Sequence, residues 1–202
     1  MKKTLTISAT ALAAVIALAG CSTGSGSSSG STMSGMGSGS MAASSAPAAA
    51  GATHNGTDTL FAQGMIPHHA QAVEMSEMML QKQGMDARIT ALAAKIKAAQ
   101  GPEIERMTGW LKAWNESTQT AGGHAMSGMM GENDLKELDA AQGTEAAKLF
   151  LTQMIAHHEG AVEMANAEVR SGKSAEAVQL GKDIAAAQTA EIAEMKALLA
   201  AL

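Results

Sequence analysis

Two segments of this 202-residue chain gather the side chains with metal chemistry: "MIPHHAQAVEM" at residues 65–75 and "MIAHHEGAVEM" at residues 154–164. At about 100° per residue, a helix puts Met65, His68, His69 and Met75 on one face and Glu74 on the other. The second segment repeats the arrangement with Met154, His157, His158 and Met164, and with Glu163 opposite. A methionine on a helical stripe is ordinarily core filler. Two adjacent histidines in phase with methionines, written twice, instead form a soft donor set. Thioether with imidazole selects Cu(I), and by the same softness Ag(I). Zinc or iron fits less well. Zinc would use two histidines and a glutamate without needing methionine. A carboxylate-bridged di-iron site would need Glu-x-x-His on two helices, and the sequence has no such motif.

Two further groups of side chains bear on this chemistry. "QxxExxxM" occurs as Gln100, Glu103, Met107 and as Gln188, Glu191, Met195. Gly84 lies sixteen residues after His68 and sixteen before Gln100; Gly172 lies fifteen after His157 and sixteen before Gln188. In an antiparallel hairpin each His-His pair therefore lies level with the Gln and Glu of the next helix. A carboxylate that accepts an imidazole N–H fixes which ring nitrogen faces an ion. Glu103 and Glu191 are expected in that role or as direct ligands. The third group, "GHAMSGMM", supplies His124, Met126, Met129 and Met130 in a Gly/Ser context and predicts an accessory, more open soft-metal site.

The elements that must position these groups are helices. Residues 61–110 match residues 150–198, at an offset of 89 through the His-His segment and 88 beyond the glycine. Such self-similarity marks a duplication. Ala, Met, Leu, Gln, Glu and Lys dominate each copy, and all favour helix. Asp58 and Thr144 are the expected N-caps, and Gly84 and Gly172 the turns. Pro67 and Pro102 fall inside helical periods and are expected to kink them. The prediction is all-α: a ferritin-like four-helix bundle of two duplicated αα-hairpins (58–116 and 144–202). They are joined by a crossover, 117–143, with a short helix capped by Asn133.

The N-terminal region reads differently. Lys2 and Lys3, an apolar run and "LAGC" predict a lipoprotein signal over residues 1–20. Lipidation at Cys21, the chain's single cysteine, would anchor the protein to a membrane outside the cytoplasm. Residues 21–57, rich in Gly, Ser and Ala, predict a disordered tether. A net charge of −5 and 2% aromatic residues exclude a nucleic-acid partner, which needs a basic footprint and stacking platforms. Copper handling without catalysis is the leading expectation. A ferritin-like metal-dependent oxidoreductase and a structural bundle with buried His-Gln-Glu networks are the alternatives.

The paired His-His segments, with "AAQGPEIERM" and "AAQTAEIAEM", resemble the family called domain of unknown function 305. The resemblance covers about residues 58–202 and implies a secreted, ferritin-like four-helix bundle. CopM-type members imply copper binding and copper resistance outside the cytoplasm. By resemblance Met65, His68, His69, Met75, Met154, His157, His158 and Met164 carry that role.

Overall fold

The computed structural model describes residues 53–119 and 126–202. The expected signal segment, Cys21, residues 21–52 of the tether and His124 lie outside the described residues. Among those described, five helices and no strand occur: α1 (Gly56–Gln81), α2 (Ala87–Trp114), α3 (Glu132–Ala140), α4 (Gly143–Ser171) and α5 (Ala175–Ala200).

Helix starts depart from the expected caps by two or three residues. The N-cap of α1 is Asn55, whose Oδ1 accepts from the Thr57 and Asp58 amides; Asp58 closes the capping box by accepting from the Asn55 amide. Asp58 is thus the third helical residue rather than the cap. Thr144 lies inside α4, which starts after Gln142, and Asn133 lies inside α3, which starts after Gly131. Gly131 has no capping side chain, but its amide donates to Asp134 at 2.9 Å. The α1–α2 turn uses Gly84 at φ +68°, a conformation open to glycine. Neither Pro67 nor Pro102 ends its helix.

Helix α1 pairs mainly with α2, and α4 with α5; the two hairpins meet chiefly along α1 and α4. Their buried side chains form two apolar clusters. One joins Met75 and Met79 of α1, Ile89–Ile96 of α2, Phe150–Met154 of α4 and Met195 of α5. The other joins Phe61 and Met65 of α1, Met107–Leu111 of α2, Ala161 and Ala165 of α4, and Leu180 and Ile184 of α5. The late half of α1 therefore meets the early half of α4, and the reverse, so these helices run antiparallel. This arrangement gives the bundle an approximate two-fold relation. The histidines fall at its waist, between the clusters. At one end, His54 stacks on Trp114 (4.4 Å between centroids) and Trp110 donates its indole N–H to Glu176 at 3.1 Å. None of the described helices is long and apolar enough to cross a membrane.

Candidate metal centre

Helical phase buries His68 and His69 on α1 and His157 and His158 on α4; all four are 0% exposed. Glu74 and Glu163 are exposed, as the 100° periodicity requires. The rings of His68 and His157 meet across the α1–α4 seam with centroids 3.7 Å apart and planes tilted by 40°. Met65 and Met107 lie on one side of this layer, Met154, Met195 and Met75 on the other, all fully buried.

The second helix of each hairpin meets the layer with acceptors. His69 Nε2 lies 2.8 Å from Glu103, and His158 Nε2 lies 3.0 Å from Glu191. A carboxylate accepts only, so each Nε2 carries the proton and donates it. His68 Nε2 lies 3.2 Å from the Ser127 carbonyl and donates for the same reason. These partners select the tautomer: in the neutral form of His68, His69 and His158, Nδ1 is the lone-pair nitrogen. Among the described residues, all three Nδ1 atoms are buried without a hydrogen-bond partner, as are both nitrogens of His157. Gln100, fully without side-chain partners, and the Gln188 carbonyl add further unpaired buried polar atoms at this level. Native interiors carry few such atoms, and a cluster of them calls for an explanation.

The electrostatics keep the two central rings neutral. Burial, and then the neighbouring His69 and His158, push His68 down to about 4, although its bond to Ser127 opposes this. Burial and the other three imidazoles push His157 down to about 2. A neutral imidazole is the form that ligates metal. The outer pair is asymmetric: Lys95 reaches Glu191 at 3.6 Å and Glu194 at 3.0 Å. Burial raises Glu191, but the His158 hydrogen bond and the Lys95 charge together outweigh it and hold its carboxyl below the usual range.

The crossover divides its methionines. Met126 reaches towards Gly64 and Met164, whereas Met130 packs against the Met75 cluster. Gln71 clamps the Met130 backbone, donating to its carbonyl at 2.9 Å and accepting from its amide at 2.7 Å. Met129 is half-buried, and His124, the fourth expected accessory residue, lies outside the described residues. Met164 is half-buried too, unlike its counterpart Met75. Gln63, which periodicity puts on the solvated side, is buried and donates to the Ser117 carbonyl.

Several site features escaped the sequence. A side chain on Gly128 (φ +82°) would lie 2.5 Å from the Ala156 carbonyl oxygen, and one on Gly160 would collide with the Ser127 carbonyl. These glycines let the crossover lie on α4 and present Ser127 to His68. A glycine inside a periodic helix, such as Gly160, was the available signal of close approach. Among the described residues, no three His, Cys, Asp or Glu side chains form a group that could hold an ion by themselves.

The family described as "Domain of unknown function (DUF305)" matches residues 58–199. The chain is a DUF305 protein. This DUF305 chain is 31% identical to a candidate secreted DUF305 protein from Streptomyces coelicolor, over 71% of this chain and 92% of that one, with a TM-score of 0.68. A DUF305 fragment from Deinococcus radiodurans is 28% identical, over 73% and 98%, with a TM-score of 0.65. CopM in its Cu(I)-bound form is 35% identical, over 71% and 96%, with a TM-score of 0.61. CopM is also known in Ag-bound and Cu(II)-bound forms. No curated protein sequence matches the chain. The all-α bundle and the DUF305 family expected from the His-His segments are those found.

Proposed function

We propose that this protein binds Cu(I) outside the cytoplasm, and Ag(I) by the same softness, sequestering or relaying it in copper homeostasis. The observation that carries this reading is the waist layer: four buried imidazoles, two of them held neutral, whose unpaired Nδ1 atoms lie between two sets of thioethers. His68, His69, His157 and His158 are the proposed nitrogen ligands. Met65, Met75, Met154 and Met164 are the proposed sulfur ligands, with Met107 and Met195 beside them. Glu103 and Glu191 orient the second histidine of each pair, and Gln100 and Gln188 complete the polar level. Similarity to CopM, a protein solved with Cu(I) and Ag, supports the choice of ion. Lipidation at Cys21 would hold the bundle at an extracytoplasmic membrane surface.

Titration with Cu(I) against a competing chelator tests this. The expected result is tight binding that is lost in His68→Ala/His157→Ala, with circular dichroism showing that the variant keeps its helices. Equal affinity of the wild type and the folded variant would sink the reading and leave the layer as a structural hydrogen-bond network.

A further inference from the structure

We infer that the groove between the start of α1 and the end of α4 is a docking site for an amphipathic helix of a partner protein, one that presents two leucine-type side chains three residues apart. The inference does not depend on metal binding. Its basis is the approximate two-fold relation of the bundle. A cavity of about 230 Å³ lies in this groove, lined by Thr57, Leu60, Phe61, Met164, Ala167 and Glu168. The 89-residue offset carries Leu60 to Leu149, Phe61 to Phe150, Ala167 to Met78 and Glu168 to Met79, and the other two to Ala146 and Met75. All of these counterparts belong to, or pack against, the apolar cluster that takes in Leu135 and Leu138 of α3. The groove is therefore the two-fold counterpart of the seat of α3.

Helix α3 shows what such a groove accepts. It lies chiefly on α1 and α4. Its Leu138 is fully buried and its Leu135 half-buried, and every other residue of the helix is exposed. In that seat Leu149 is half-buried, whereas its counterpart Leu60 is 65% exposed. The chain's own sequence does not supply a second α3. Residues 43–51, which the offset matches to Glu132–Ala140, carry Ala46 and Ala49 in place of the leucines, with Pro47 between them. Alanine adds little apolar area, and proline breaks a helix interior. The clamps differ as well. Gln71, Lys82 and Gln153 donate to backbone carbonyls of the crossover and α3; the offset turns them into Gly160, Ser171 and Gly64. An occupant of the open groove is held by apolar contact alone, which suits a partner that binds and leaves.

The probe is a fluorescent peptide of residues 131–142, held helical by a lactam between Glu132 and Lys136, which already pair at 3.6 Å on the exposed face of α3. Titrated with the full chain, it should bind saturably and shift the Leu60 methyl resonances. Leu60→Glu, at a side chain already exposed, should weaken binding at least about tenfold, as should Leu135→Ala/Leu138→Ala in the peptide. No saturable binding, or equal affinity for the Leu60→Glu protein, would overturn the inference. So would shifts at Leu149 in place of Leu60, which would mean that the peptide displaces α3. Self-association of the peptide-free protein that Leu60→Glu abolishes would give the groove to a second copy. Nuclear Overhauser contacts from residues 43–51 to Leu60 would give it to the chain itself. Either result overturns the partner assignment.

Discussion

At the scale of single residues, burial sets protonation, and protonation sets how stability follows pH. Glu168 is 0% exposed on α4, and among the described residues no group donates to either of its oxygens. Burial raises its carboxyl to about 8, and neighbouring Asp58 adds to this. Asp58 is held low: the proton on Glu168 and the Asn55, Ser174 and Lys173 amides outweigh the cost of its burial. Below the ordinary Glu value of about 4.5 the folded and unfolded chains both keep the Glu168 proton. Above it only the folded chain does, so stability is lost as pH rises from 4.5 to 8. His68 and His157 act on the other limb. Above about 6.5 their rings are neutral in both states. Below that, the unfolded chain takes protons the folded one refuses, so metal-free protein weakens as pH falls toward 4 and then 2. Glu168→Gln should remove much of the alkaline loss, a few kcal/mol at most for a shift of this size. The check is the melting temperature of metal-free protein at pH 6 and pH 9; an identical fall in the wild type and the variant would refute the assignment.

At the scale of elements, backbone contact decides what the helices can present. The crossover reaches His68 only because Gly128 and Gly160 leave room for it. Gly160→Ala puts a methyl against the Ser127 carbonyl, which has to move. The expected cost is about 1–3 kcal/mol, seen as a lower denaturation midpoint with faster amide exchange at residues 127–130. An unchanged midpoint would show that the segment is not seated as described. The Met-His phase, the solvated Glu74 and Glu163, and the level of Gln100–Glu103 and Gln188–Glu191 were all legible, because helical pitch and residue counts through a turn are arithmetic. The Ser127 carbonyl was not, since a backbone acceptor in coil leaves no side-chain signature. Gln63 was misplaced for a related reason: its partner is the Ser117 carbonyl. Glu168 could have been found. It occupies the position of Met79, so a core methionine in one copy is a carboxyl in the other, an exchange that burial allows only with a partner nearby.

At the scale of the whole molecule, the polar layer splits the core into two apolar clusters, and each cluster draws on all four long helices. Neither hairpin can cover its own apolar face; each must be closed by the other, with α1 against α4. Residues 53–119 expressed alone should therefore self-associate, measurable as a dimer by sedimentation. A stable, soluble monomer would contradict the interdependence. The same division explains why a cation at the waist should stabilise the entire bundle: an ion bound only by the folded state adds its binding free energy to folding.

The two-fold relation has a consequence in descent. A hairpin bearing one His-His pair, dimerising about such an axis, already brings four imidazoles to its centre. Two copies within one chain need not stay identical. His68 could then acquire a carbonyl that His157 lacks, and Glu191 a lysine that the other hairpin does not supply to Glu103. The halves are unequal now: among the described residues, one central imidazole is anchored by a carbonyl and the other has no hydrogen-bond partner.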